Sequence, residues 1–215
     1  MGTLRRLPGR AQASRPRARV IVFALLVGAC LAIRGAAETD ADLQLQVASL
    51  LYDETRYQEA LQAFDQAAQA SDPLVAVRGR KGSVRTALKV AEFARAKREA
   101  EALQTLAPKD PEAIALYGDA LWSAGLFDEA DRAYRDASAL APDSSRARFG
   151  VARSLAATNH LDEALDMALA ASAAAPRDGD IHALAGDIYE RLHQFAQAAN
   201  AYRNYINLLP NKDRS

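Results

Sequence analysis

The sequence contains few of the residues on which several protein classes depend. It has one cysteine (Cys30), one tryptophan and three histidines among 215 residues. One cysteine excludes an intrachain disulfide framework and any metal site built from several cysteines. An apolar fraction of 50% excludes a wholly disordered chain, and the length fits one ordinary domain or one short repeat array.

The net charge of zero is unevenly divided along the chain. Residues 1–37 contain seven arginines and no acidic residue, so residues 38–215 carry 20 basic and 27 acidic side chains, a net charge of −7. Nucleic-acid binding depends on Lys and Arg side chains that neutralise phosphates. The acidic body therefore argues against a general nucleic-acid-binding protein.

The first 37 residues have the order of a secretory signal. Six arginines precede an uncharged apolar run from Val20 to Ile33, and small residues follow the run. A helix needs roughly 20 apolar residues to span a bilayer core, and this run is shorter. It also lacks the amphipathic period of a helix buried in a folded domain. The segment therefore predicts export.

The leader could end in three ways, which the sequence leaves open. The segment Val27-Gly28-Ala29-Cys30 resembles a bacterial lipobox, which would leave a lipidated Cys30 at the new N-terminus. The small residues Gly35-Ala36-Ala37 offer an ordinary cleavage site instead. An uncleaved segment would anchor the chain with its arginines in the cytoplasm. Each alternative places the body in the periplasm or tethered to the envelope membrane, which it would contact only through this segment or a lipid.

Prolines and alanines recur along the body at a nearly constant interval. Both sets advance by about 34 residues at each step, and self-similarity at a fixed period of this length indicates a repeat architecture. Only the first step of each set is slightly longer than the others. The two sets are Pro73, Pro108, Pro142, Pro176 and Pro210, and Ala60, Ala96, Ala130, Ala164 and Ala198.

Residues 111–142 show the repeated pattern most clearly. The first half carries Ile114, Tyr117-Gly118 and Leu121, Gly125 follows at a turn, and the second half carries Phe127, Ala130, Tyr134, Ala137 and Pro142. This pattern resembles the tetratricopeptide repeat, which pairs a W-x2-L-G-x2-Y helix (helix A) with an A-x3-F helix (helix B) and a closing proline. The resemblance covers residues 41–210, in repeats of about 41–73, 74–108, 111–142, 145–176 and 179–210, and leaves residues 211–215 as a tail.

The second repeat departs from the pattern in its first half. Arg80, Ser83 and Val84 occupy the positions of the W and L-G residues, and two residues are inserted before the second helix. Apolar residues still recur at helical spacing there, so we expect a helix over roughly residues 74–90.

The resemblance implies an all-α fold. About five helix-turn-helix repeats would stack into an α-solenoid with a right-handed superhelical arc, with helix A of each repeat on the concave side. Because the sequence ends five residues after Pro210, we expect Ile206, Leu208 and Leu209 to form an apolar C-terminal flank. Either a partner docks on this flank or the sequence is the front part of a longer protein.

Two rows of residues on the A helices are predicted to face the groove. Their signs alternate from repeat to repeat wherever they are charged, and neighbouring helices lie about 8–10 Å apart. We therefore expect lateral ladders of ion pairs, each pair contributing about 0.2–1 kcal/mol. The rows are Asp42, Arg78, Glu112, Arg146 and Asp180, and Ser49, Arg85, Asp119, Arg153 and Asp187.

A basic stripe on the second A helix is the candidate binding site. It consists of Arg78, Lys81, Arg85 and Lys89, whose spacing of 3, 4 and 4 places them on one helix face. If the ladders use Arg78 and Arg85, then Lys81 and Lys89 remain free. The aromatic residues predicted to share this surface are Tyr52, Trp122 and Phe149. Such a surface fits an extended peptide with acidic and apolar residues, and a merely solvated charged face is the alternative.

Patterns of catalysis and metal binding are missing from the sequence. The histidines are scattered, and no H-E-x-x-H, phosphate-binding loop, dinucleotide fingerprint or G-x-S-x-G occurs. We therefore expect no enzymatic activity, no cofactor and no metal.

The leading hypothesis is a non-catalytic scaffold of the bacterial cell envelope. It would bind a peptide or helix of a protein partner in the concave groove or at the C-terminal flank. The alternative is the N-terminal recruiting module of a longer exported enzyme such as a peptidase. The partner itself is not named by the sequence, because one repeat fold serves many partners.

Overall fold

The computed structural model describes residues 40–209, which contain helices and no strands. The first helix, α1, covers residues 40–53. The helices that follow are α2 (Tyr57–Ala67), α3 (Pro73–Lys89), α4 (Phe93–Leu106), α5 (Pro111–Ser123), α6 (Phe127–Leu140), α7 (Ser145–Ala157), α8 (Leu161–Ala174), α9 (Gly179–Arg191) and α10 (Phe195–Leu208). The all-α prediction is confirmed.

The predicted leader with Cys30, and the tail of residues 211–215, lie outside the described residues. Within residues 40–209, no helix combines the length and the apolar character needed to cross a membrane.

The helices stack in pairs, and the two members of a pair occupy different sides of the stack. Each of α3, α5 and α7 contacts the A helix of the next repeat as well as its own B helix. Consecutive B helices among those described do not contact each other. Closely packed A helices and separated B helices place the A helices on the inner face, as the resemblance implies, and form the predicted α-solenoid.

Small residues allow the helices to approach closely. The recurring alanines Ala60, Ala96, Ala130 and Ala164 are completely buried between helices. Tyr134 fills the space beside two glycines: an added Cβ would lie 2.6 Å from Tyr134 Cε1 at Gly118 and 2.2 Å from Tyr134 Cδ1 at Gly150. Since interiors are close-packed, the aromatic ring and the two glycines are complementary parts of one contact.

The second repeat differs because α3 begins one turn early. It has 17 residues, whereas α5, α7 and α9 have 13 each. The Asp72 side chain accepts a hydrogen bond of 2.7 Å from the Leu74 amide, and Pro73 is the first helical residue. Both are favourable at a helix start. The helix predicted over residues 74–90 is therefore present, but Pro73 opens it instead of closing the first repeat.

The turn inside each repeat contains one residue in the left-handed conformation. These residues occupy equivalent positions, and in the third repeat the residue is Gly125, as predicted. Residues with a Cβ are disfavoured there, by roughly 1–2 kcal/mol. The set is Thr55, Ala91, Gly125, Asn159 and His193, with φ between 60° and 78°.

Candidate partner-binding groove

Lys81 of the predicted stripe is held in a close ion-pair cluster. Its Nζ lies 2.8 Å from Asp110 Oδ2 and 2.8 Å from Glu112 Oε2, and its side chain is 14% exposed. Burial lowers the pKa of Lys81, but the two carboxylates raise it by more, so the net pKa lies above the usual value. The expectation that Lys81 is free is wrong, because this side chain joins α3 to the start of α5.

The partner of Lys81 also begins helix α5. Asp110 Oδ1 accepts hydrogen bonds from the Glu112 amide at 2.9 Å and the Ala113 amide at 3.1 Å, as a helix-capping residue does. Burial raises the pKa of Asp110, but the Lys81 ammonium and these amides lower it by more, so the net pKa lies below the usual value. Asp110 and Lys81 are therefore structural residues of the groove wall.

The other three residues of the stripe are accessible. Arg85 is 38% exposed and reaches Glu112 only at 3.9 Å. Arg78 is exposed and forms no ion pair within residues 40–209. Lys89 is 46% exposed and lies 3.2 Å from Asp180 Oδ2. The expectation that Lys89 is free is therefore also wrong, because Asp180 pairs with it. Arg78 and Arg85 remain available to an anionic ligand on the inner face of α3, and Lys89 is accessible but paired.

The ion pair of Lys89 crosses the groove. Lys89 ends α3 in the second repeat, whereas Asp180 lies in the first turn of α9 in the fifth, 91 residues further along the chain. Burial lowers the pKa of Lys89, and Asp180 raises it by more, so the net pKa is raised. The groove is thus narrow enough at this height for one lysine side chain to bridge it.

Asp119 on α5 is the centre of a second polar cluster. Its carboxylate accepts hydrogen bonds from Arg146 Nη1 at 2.6 Å, Arg153 Nη2 at 3.2 Å and the Tyr134 hydroxyl at 2.9 Å. Arg153 Nη2 also donates to the Tyr134 hydroxyl. Burial and the Asp119 charge raise the pKa of Tyr134, which therefore stays neutral. Two guanidinium groups share one carboxylate, which leaves the cluster with a net positive charge.

The predicted groove aromatics Trp122 and Phe149 both surround Arg153. The Arg153 guanidinium carbon lies 4.4 Å from the centre of the Trp122 ring and 5.2 Å from that of Phe149, both within cation–π range. Tyr52 packs edge to face on Tyr57, with ring centres 5.2 Å apart. Burial raises the pKa of Tyr52, which leaves a neutral hydroxyl on this surface. The structure thus brings two of the three aromatics together.

Of the predicted ladders of equivalent residues, a single pair forms within residues 40–209. Among the ion pairs within residues 40–209, Asp119–Arg153 is the one that joins neighbours in a predicted row. Arg146 instead pairs with Asp119 of the preceding repeat. On α5, Asp119 lies two turns beyond the position equivalent to Arg146. Because packed helices cross at an angle, Arg146 meets a residue two turns away from the equivalent position in the preceding repeat.

The predicted C-terminal flank is apolar and partly accessible. Ile206 and Leu209 are exposed, and Leu208 is half-buried, within the part of the chain that the structure describes. Partner binding at this flank or at the groove residues stays a prediction.

The sequence contains readable signals for part of what was missed. Asp72, Asp110, Ser144 and Asp178 cap α3, α5, α7 and α9, and an acidic residue or serine just before an apolar helix is a typical start signal. The Tyr134–Asp119–Arg153 cluster has no such local signal, because its members lie on three helices. Among residues 40–209, no three His, Cys, Asp or Glu side chains are placed to hold a metal ion.

Residues 121–188 match the family model described as the tetratricopeptide repeat. No curated protein is a match for the chain. Two examples of solved structures with similar folds follow. TTC0263, a thermophilic tetratricopeptide-repeat protein of Thermus thermophilus, has 18% identity and a TM-score of 0.67, over 80% of this chain and 93% of that one. MamA from Desulfovibrio magneticus RS-1, from residue 41 to its end, has 18% identity and a TM-score of 0.53, over 81% of this chain and 97% of that one.

Proposed function

We propose that this protein is a non-catalytic scaffold that binds a peptide segment of a protein partner on its inner face, since residues 121–188 match the tetratricopeptide-repeat model and residues 40–209 form a stack of helix pairs. Arrays of this kind generally serve as surfaces for protein interaction. The observation that supports a groove site is the accessibility of Arg78, Arg85 and Lys89, which no close ion-pair cluster encloses.

The charges and rings of the groove indicate the chemistry of the peptide. Accessible cations on α3 and the net positive cluster around Asp119 attract carboxylates. Trp122 and Phe149 are half-buried around Arg153 and present apolar edges beside it. A peptide with acidic residues next to apolar ones would match both features. Lys89 would exchange Asp180 for a ligand carboxylate without leaving its charge unpaired.

The proposed location is the cell envelope of a bacterium. It is supported by the order of residues 1–37, in which arginines, an apolar run and small residues follow one another. Fractionation of cells that produce the full chain with a C-terminal tag tests it. Recovery with the periplasmic or membrane fraction is expected, and recovery with the soluble cytoplasm would contradict it.

The binding site is tested by selection from a phage-displayed library of random peptides on the immobilised full chain. We expect the enriched peptides to combine Asp or Glu with apolar residues. A double Arg85→Gln, Lys89→Gln variant should weaken their affinity at least about fivefold, since each replacement removes a charge that faces the ligand.

The matched control removes two cations from the outer B helices. Lys97→Gln with Arg132→Gln makes the same change of net charge at accessible positions on α4 and α6. Equal losses in both double variants would mean general electrostatic attraction and would contradict a groove site. If both double variants leave the peptide affinity unchanged and Ile206→Asp abolishes binding, the binding site lies at the C-terminal flank.

A further inference from the structure

The contacts between successive repeats depend on matched side-chain sizes. At each junction, one position of a B helix meets one position of the next A helix. Where the B helix carries an aromatic ring, the next A helix carries a glycine. A Cβ added at Gly82 would overlap the Phe64 ring, and one added at Gly150 would overlap the Tyr134 ring. Since interiors are close-packed, each ring fits only beside a residue without a side chain.

The other two internal junctions have the opposite arrangement at the same positions. Ala100 and Leu116 belong to the apolar cluster that joins the second and third repeats. Ala168 and Leu184 belong to the cluster that extends from the third repeat to the fifth. Each junction therefore pairs either a ring with glycine or alanine with leucine, so that the two residues together fill the space available.

The last B helix presents an aromatic ring that is covered on one side. Tyr202 on α10 occupies the position of Tyr134 on α6. A Cβ added at Gly186 would lie 2.6 Å from Tyr202 Cε1, the distance that also separates one added at Gly118 from Tyr134 Cε1. Tyr134 is completely buried, whereas Tyr202 is half-buried, because no helix within residues 40–209 lies beside it as α7 lies beside Tyr134.

Two further residues of α10 occupy positions that internal B helices bury at a junction. Tyr205 and Ile206 correspond to Ala67 and Ala68 on α2, and a Cβ added at Gly79 of the next repeat would lie 2.7 Å from the Ala67 carbonyl carbon. Ala67 is completely buried, but Tyr205 is half-buried and Ile206 is 62% exposed. This side of α10 therefore corresponds to the surface with which α2 contacts the following helix.

The first helix of a second copy does not match this surface. On α1, Gln46 occupies the position of Gly82, and its side chain is exposed. Leu43 occupies the position of Gly79 and is 53% exposed. If copies stacked head to tail, these long side chains would meet Tyr202 and its neighbours where the internal junctions have glycines, and the contact would be overpacked.

We propose that the side of α10 that carries Tyr202 and Ile206 binds an amphipathic helix of a partner protein, with a glycine of that helix opposite the Tyr202 ring. The two A helices that pack on a ring indicate the rest of the pattern: a small residue three positions before the glycine and a hydroxyl residue four positions after it. Those residues are Gly79, Gly82 and Thr86 on α3, and Ala147, Gly150 and Ser154 on α7. The surface is separate from the inner groove, so this proposal is independent of peptide binding there.

The experiment is a selection from a phage-displayed library of two-helix hairpins. Four positions on one helix face (i, i+3, i+4 and i+7) are randomised, and selection is run in parallel on the immobilised full chain and on its Tyr202→Ala variant. We expect the native chain to enrich glycine at i+3. The variant should enrich leucine there, because alanine leaves the space that Leu116 and Leu184 fill at internal junctions.

Exchanging glycine for leucine in a selected hairpin tests the match without altering the chain itself. The exchange should weaken binding to the native chain at least about fivefold and should not weaken binding to Tyr202→Ala. Phe93→Ala is the matched control, since it removes an accessible ring from α4 of the second repeat and should leave hairpin affinity unchanged. Circular dichroism confirms that both variants are folded.

Several results would each overturn the proposal. They are the absence of any enriched hairpin, enrichment without glycine at i+3, and equal losses in Tyr202→Ala and Phe93→Ala. Loss of hairpin binding in the Arg85→Gln, Lys89→Gln variant would place the hairpin in the groove instead. A dimer of the full chain that sedimentation detects and that Ile206→Asp dissociates would show that a second copy covers this surface.

Discussion

Replacing Gly150 by alanine tests whether close packing on Tyr134 holds the third and fourth repeats together. Gly150 lies on α7 and Tyr134 on α6, and the Tyr134 ring is completely buried. In an isolated helix the change would be favourable by about 1 kcal/mol, because alanine loses less conformational freedom than glycine. In this array we expect the opposite sign.

The expected loss follows from the distances around the new methyl group. The added Cβ would lie 2.2, 2.3 and 2.5 Å from three atoms of the Tyr134 ring, whereas carbon atoms in contact are about 3.5–4.0 Å apart. The ring must therefore move by more than about 1 Å. Overpacking of this kind costs about 1–3 kcal/mol. Displacement also breaks the 2.9 Å hydrogen bond from the Tyr134 hydroxyl to Asp119, at about 1–3 kcal/mol for a buried group.

We therefore expect Gly150→Ala to lower the free energy of unfolding by about 1–5 kcal/mol net. The assay is urea denaturation followed by circular dichroism at 222 nm. Gly179→Ala is the control, because its Cβ would lie 3.3 Å from the Tyr205 ring and 3.9 Å from Leu208 Cβ, and the Tyr205 side chain is half-buried and able to shift. The control should change the free energy of unfolding by less than about 0.5 kcal/mol.

A double-mutant cycle gives the decisive result. In a Tyr134→Ala background the steric conflict is gone, so Gly150→Ala should become stabilising by about 1 kcal/mol. If Gly150→Ala is neutral in the native background, or if its cost persists without the Tyr134 ring, the packing argument is refuted.

Two further substitutions test the groove wall and the turns. Asp110→Asn keeps the helix cap but removes the carboxylate. Burial raises the pKa of this carboxylate, and Lys81 together with the capping amides lowers it by more. Because the folded-state pKa lies below the unfolded value near 3.9, the charge stabilises the fold above that pH and loses its effect as pH falls through the folded pKa. The variant should be less stable than the native chain by about 1 kcal/mol at pH 7, and the difference in urea midpoint should shrink as the pH falls below about 3.9; a constant difference would contradict this. Ala91→Gly should increase the free energy of unfolding by about 0.5 kcal/mol, because φ is 60° at this position. The melting temperature should therefore rise slightly, and a lower melting temperature would contradict this reasoning.

The repeat architecture could be predicted because its signals are local and periodic. The buried alanines recur at one constant interval after the second repeat, since each one fills the same contact in successive helix pairs. The early start of α3 had its own signal, because Asp72 followed by Pro73 is a favourable helix beginning. Pro73 lies 35 residues before Pro108, close to the repeat interval, so the spacing predicts a closing residue where the structure begins a helix.

The groove contacts could be predicted only as a set of residues on one face. The stripe lies on one face of α3 as its spacing requires, but the partners of Lys81 and Lys89 depend on how neighbouring helices are inclined. Asp180 lies 91 residues from Lys89, and no spacing rule links the two.

The bridge from Lys89 to Asp180 makes the groove sensitive to substitutions that never touch it. Three successive repeat-to-repeat junctions lie between α3 and α9. The distance between the two charges depends on the small rotation at each of these junctions. A junction that opens by a few degrees displaces every repeat beyond it. Mutations at inter-repeat contacts, far from any ligand, would therefore alter ligand affinity by changing the width of the groove, and peptide binding would report the accumulated geometry of the whole array.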